Sequence, residues 1–99
     1  MRYLAFDLTD SSDDILTLDA MASTREAEHA AVMAEVDQVL AWAQAEFGSR
    51  RGPVEDGNAW DHELLVQREA GEWITVTLTF SASQEFVDAF LPVFGEHEA

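Results

Sequence analysis

Three histidines and twenty Asp and Glu, with no Cys at all, are the groups this chain offers for chemistry. His29 follows Glu26 by three residues, a spacing that places an imidazole and a carboxylate on one face of a helix, where they can share a metal ion. One such pair is not enough: di-metal helical sites use the motif twice with further carboxylates, and a zinc site takes three or four ligands. The plainer reading of His29 is a partly buried side chain near a helix start. Asp61, His62 and Glu63 also look like an acid–base run, yet along a strand successive side chains alternate. Asp61 and Glu63 then share one face while His62 shares the other with Trp60, Leu64 and Val66.

Asp56, Gly57, Asn58 and Asp61 fall short of a calcium loop, because the alternating ligands and the closing bidentate Glu are missing. The chain has no glycine-rich phosphate loop and no Gly-x-Ser-x-Gly elbow. Neighbouring carboxylates are expected from composition alone, so none identifies an acid–base pair. No catalytic residue, metal site or cofactor is therefore expected. The absence of Cys excludes disulfides, thiolate metal sites and thiol nucleophiles.

Charge is the one unusual property. Twenty acids stand against five Arg, Lys is absent, and the formal net charge is -15. Affinity for nucleic acid comes from basic groups that displace counterions, so direct nucleic-acid binding is not expected. Anionic membrane surfaces repel the chain for the same reason. No apolar run approaches the roughly 20 residues that cross a bilayer, and Asp7 interrupts the N-terminal stretch before a signal-peptide core can form. The expected setting is cytoplasmic.

The elements that position these groups follow from periodicity. Residues 3–8 alternate with Leu4, Phe6 and Leu8 on one side, predicting a strand, and residues 15–22 alternate again beyond a Ser/Asp turn. Ser23 and Glu26 match a capping box, and Val32, Val36, Val39, Leu40, Ala43 and Phe47 then make one helical stripe, with Ala30, Ala34, Asp37 and Ala41 opposite. Gly48 is the expected left-handed stop. Residues 49–58 show no period and read as a loop. Residues 60–68 and 73–80 read as a second hairpin turning at Gly71. Ser81 or Ser83 caps a short closing helix, which Pro92 should kink or end.

This predicts one domain over residues 1–99, with 95–99 an acidic tail containing His97. The expected fold is an α+β two-layer sandwich: a four-stranded antiparallel sheet in ββαββα order with both helices on one face. A ferredoxin-like plait would need another strand after the last helix, and the tail is too short and polar to supply it. The expected core is Leu4, Phe6, Leu16, Leu18, Val32, Val36, Leu40, Phe47, Leu64, Val66, Ile74, Val76, Leu78, Phe80, Phe86 and Phe90. The opposite sheet face carries Tyr3, Thr17, Leu65, Trp73, Thr75 and Thr77, and offers a surface for a two-fold homodimer.

For function the expectation is a small acidic protein-binding module that engages a basic partner, as an inhibitor, immunity protein, antitoxin or mimic of nucleic-acid charge would. Its candidate contacts are Asp10, Asp13 and Asp14 in the first turn, and Glu55, Asp56 and Asp61 around the long loop. Trp60 is an apolar anchor unless the core claims it. Trp42 and Trp73, both off the centre of their apolar faces, are further candidates for an interface, or else cover the sheet edge and the hairpin. Two alternatives stand beside this reading: a small enzyme or ligand-binding domain with a pocket between sheet and helices, and acidity that serves only solubility.

Overall fold

Residues 73–80, the most regular alternation in the sequence, become the middle of the sheet. The computed structural model describes residues 2–10 and 15–95. Its order is β1 (Asp7–Asp10), β2 (Leu16–Arg25), α1 (Glu26–Phe47), β3 (Trp60–Glu69), β4 (Trp73–Ala82) and α2 (Gln84–Phe94), with 3-10 turns at Gly48–Arg50 and Val54–Asp56. The strands form one antiparallel sheet in the order β1-β2-β4-β3. The fold is the expected α+β arrangement, a four-stranded antiparallel sheet with two helices.

β4 is hydrogen-bonded on both sides, and its inward residues Ile74, Val76, Leu78, Phe80 and Ala82 are all buried. Opposite them on β2 stand Thr24, Ala22, Ala20, Leu18 and Leu16. The two small Ala side chains leave room for α1 to descend on β2 and β4, where Val32, Val36, Val39 and Ala43 are fully buried. Ala30, Ala34, Asp37 and Ala41 on the far side of α1 are exposed, as the stripe requires.

α2 closes one end of this layer. Ser83 is its cap, the side-chain oxygen accepting from the Phe86 amide at 3.2 Å. Phe86 and Phe90 then meet Phe80, with ring centroids 5.7 Å apart in each pair. Trp42 of α1 turns inward and meets Phe86, Phe90 and Phe94 edge to face at 5.5 to 5.7 Å, so it joins the two helices. Pro92 does not stop α2, which runs on to Phe94. Proline deprives only the Asp88 carbonyl of its donor, and the Gly95 amide closes the end by donating to Leu91 at 2.9 Å.

Four local expectations are corrected. The first strand covers Asp7–Asp10 rather than residues 3–8, because the Glu35 carboxylate captures the backbone before it: it accepts from the amides of Arg2, Tyr3 and Leu4 at 3.0 to 3.2 Å. Leu4 and Phe6 still reach the core, whereas Leu8 on the short edge strand is exposed. The Ser23–Glu26 capping box does not form, since β2 continues to Arg25. The Ser23 hydroxyl instead accepts from Thr75, and Glu26 pairs with Arg68. Gly48 is right-handed (φ -58°) and leads into the 3-10 turn. Leu64 and Val66 face the helix side, but α1 and α2 lie over β2 and β4, and both residues are exposed. The Ser/Asp turn at 11–14 and the tail at 96–99 lie outside the described residues.

The core assignment has a direct check. Leu78→Ala, at a fully buried position of β4, is expected to cost about 2 to 5 kcal/mol. Ala34→Glu, on the open side of α1, should stay within about 0.5 kcal/mol of the parent. Urea unfolding of both variants tests the layer arrangement, and equal losses would contradict it.

Candidate interaction rim

The strand register decides where the two acidic sets lie. Asp10 pairs with Leu16, Leu16 with Ala82, and Ala82 with Trp60, so one row crosses all four strands. Asp61 lies in the next row, opposite Ser81. Asp10 and Asp61, some fifty residues apart in sequence, thus share one end of the sheet, about 15 Å apart at ordinary strand spacing and with their side chains on opposite faces. Asp10, Glu55 and Asp56 are exposed there. Asp13 and Asp14 lie outside the described residues.

The segment of residues 49–58 is held against this end by its backbone. The Gly52 amide donates to the Trp60 carbonyl at 2.9 Å and the Ala59 amide to Arg50 at 2.8 Å. The Asn58 side-chain amide donates to the Pro53 carbonyl at 3.1 Å, and Gly57 takes φ +93° after the turn Val54–Asp56. Glu55 and Asp56 are thereby displayed on a fixed turn. Trp60 is claimed by the core, being 1% exposed, with its indole nitrogen donating to the Phe47 carbonyl at 2.9 Å. It therefore positions the rim and offers no anchor surface.

Sequence reasoning missed the cations within this rim. Arg51 approaches Asp61 at 3.5 Å, and Arg50 pairs with Glu85 in the first turn of α2. Asp10, Glu55 and Asp56 have no ion-pair partner among the described residues. Proximity in the fold, invisible in the spacing, adds Glu85 to the acidic group. Two shallow grooves run along the rim. One, of about 260 Å³, is lined by Ile15, Pro53, Val54, Glu55, Asp61 and Ser81. The other, of about 530 Å³, is lined by Asp10, Leu16, Ser83, Gln84 and Glu85. The space between sheet and helices is filled by buried side chains, including Val36, Phe80, Phe86 and Phe90.

The remaining candidates separate. Trp73 stays exposed on the face away from the helices, with the Arg25 guanidinium 5.0 Å above its ring. Glu26 is occupied by Arg68 at 2.8 Å, and that contact holds its carboxyl below the usual range. No group of three His, Asp or Glu is arranged to hold a metal ion among the described residues. None of their helices is long and apolar enough to cross a membrane. The chain matches no protein-family model, no curated protein and no solved structure.

His62 stacks on Trp60 with centroids 5.8 Å apart and planes at 23°. Burial lowers its pKa, the Arg51 guanidinium acts in the same direction, and Asp61 opposes them. A lowered pKa in the folded state means that the unfolded chain binds the proton more readily. The contribution of neutral His62 is therefore full above its ordinary pKa near 6.5 and is lost as pH falls toward the lowered value. His62→Gln should flatten the pH dependence of stability between about pH 7.5 and 5.5. Urea midpoints across that range test it, and parallel curves for parent and variant would refute the assignment.

Proposed function

We propose that the chain is a small acidic module that binds a basic protein partner through the rim formed by Asp10, Glu55, Asp56 and Asp61, with Asp13 and Asp14, outside the described residues, as further candidate contacts. The observation that supports this reading most is the strand register that gathers acids from both hairpins at one sheet end. An inhibitor, immunity or antitoxin-like role is the class of function such a surface serves. A cytoplasmic setting belongs to the same proposal.

The physical reasoning is one of steering. Exposed carboxylates without local cations keep their field, and a concentrated negative rim speeds encounter with Arg or Lys on a partner. Asp61 differs, because Arg51 beside it must be displaced or shared on binding. Asp10, Glu55 and Asp56 should therefore dominate association, while Asp61 contributes less.

Solubility alone would make position irrelevant. The test compares two variants of equal charge: Asp10→Asn, Glu55→Gln, Asp56→Asn at the rim, and Asp37→Asn, Glu46→Gln, Glu72→Gln away from it. Partners are captured from the host cell at low salt and their kinetics measured by surface plasmon resonance. The rim variant should associate about tenfold more slowly at low ionic strength, with the difference vanishing as salt screens beyond about 10 Å. Equal rates for the two variants would refute the rim.

A further inference from the structure

β3 is the long open edge of the sheet. Its register with β4 runs without a bulge from the Trp60–Ala82 pair to the Glu69–Trp73 pair. Two hydrogen bonds fix which backbone groups face outward. The Ala59 carbonyl accepts from Ser83 on the β4 side at 2.8 Å, and the Trp60 carbonyl accepts from Gly52 on the opposite side at 2.9 Å. Backbone groups alternate sides along a strand. Leu64, Val66 and Arg68 therefore present their amides and carbonyls to the open edge, as His62 does its carbonyl, its amide donating to Asp61 Oδ1 at 2.9 Å, while the odd residues serve β4. The short bridge of Arg51 beside Trp60 covers only the beginning of that edge, and no strand lies beside the rest among the described residues.

Long edges are usually blunted by Pro, Lys, a bulge or shortness. The opposite edge, β1, has four residues, all exposed, two of them Asp. β3 has ten, and Leu64, Leu65 and Val66 at its centre are 36%, 48% and 42% exposed. No Pro or Lys interrupts it.

We propose that β3 pairs with β3 of a second copy, antiparallel and centred on Leu65, joining two sheets into one of eight strands. The sequence from His62 to Arg68 complements itself in this register. Leu65 meets Leu65, Leu64 meets Val66, Glu63 meets Gln67, and His62 meets Arg68. Apolar side chains face apolar ones, and a carboxylate faces an amide that can donate to it. Each outward-facing residue has an outward-facing partner. Shifting the centre to Val66 would oppose Glu63 with Glu69, and shifting it to Leu64 would oppose Glu63 with Leu65.

A two-fold axis perpendicular to the sheet keeps each face on its own side. Leu64 and Val66 of both copies then lie together on the helix side, and the row Met21, Thr77, Leu65 continues into its counterpart. The two-fold contact expected for the open face is thus placed at its edge. Arg68 is already compensated by Glu26, and a neutral His62 does not repel it. Asp61 and Glu69 meet only at the ends, where Arg51 stands beside Asp61.

This inference does not depend on the basic-partner reading, and salt separates them. Two copies of charge -15 repel at long range, so salt should tighten self-pairing while it weakens a basic complex. Sedimentation of the full chain at about 10 to 200 µM should show a dimer fraction that rises between about 50 and 500 mM NaCl. Val66→Pro removes an amide that faces the open edge and none that serves β4, so the variant should keep its circular dichroism while dimerising at least about tenfold more weakly. Leu65→Cys supplies an independent readout, because the two thiols would face each other across a non-hydrogen-bonded pair with Cα atoms about 4.5 Å apart, within disulfide reach. Oxidation should link this variant and leave Met21→Cys monomeric. A monomer at every concentration and salt, or a dimer that Val66→Pro does not weaken, would overturn the proposal. Equal cross-linking of the two Cys variants would overturn the register.

Discussion

Packing a single layer of helix onto the inner face of β4 decides where the rest of the chain can go. A four-stranded sheet is about 15 Å across between its outer strands, and one helix with its side chains spans about 10 to 12 Å. α1 settles over the central pair, where Ala20 and Ala22 lower the floor for Val32, Val36 and Val39. α2 widens the cover at one end only, through Phe86 and Phe90 against Phe80 and through Trp42. Trp60 lies under that wider cover and is buried, His62 is half-buried, and Leu64 and Val66 lie beyond it. The gradient along β3 is one packing constraint seen at four successive inward positions.

Much of this was legible because periodicity reports the face on which a side chain stands. The Thr/aliphatic alternation of residues 73–80 and the valine stripe of α1 both translate directly into buried and exposed sides. Periodicity does not report whether a face is covered. Leu64 has the same parity as Trp60, yet only strand order and helix placement distinguish them. Local signals failed where a distant group won the competition for a polar partner. Ser23 found Thr75, Glu26 found Arg68, and the amides of residues 2–4 found Glu35 more than thirty residues away. No local pattern marks Glu35, since its role depends on α1 crossing beside the chain start.

The acidic rim was half legible for the same reason. Asp10, Glu55, Asp56 and Asp61 could be picked out as acids in or beside turns, but the sheet end shared by Asp10 and Asp61 is a property of the register linking β1 to β3, and Glu55 and Asp56 reach it through the backbone contacts of residues 49–58. The cations that temper the rim, Arg50 and Arg51, lie in a segment without any period, and only the fold sets them against Glu85 and Asp61. Trp60 shows the limit of composition from the other side. A tryptophan beside two acids reads as an anchor until the aromatic packing of α2 is in place to bury it.

Charge and edge act over different distances, and together they describe one surface. Coulomb repulsion between two copies extends over the screening length, about 8 to 10 Å near physiological salt, whereas strand pairing acts only when backbones are about 4.8 Å apart. An exposed apolar edge on a neutral protein would pair with any extended chain it met. On this protein a formal charge of -15 opposes the approach of acidic chains before contact, and under the proposed reading it would favour basic ones. The proposed self-pairing of β3 would then rest on the match between the segment His62 to Arg68 and its own reverse, a short-range term in which apolar meets apolar and Glu63 meets Gln67. Pairing of two acidic copies must therefore overcome their mutual repulsion through this short-range match, and added salt favours it.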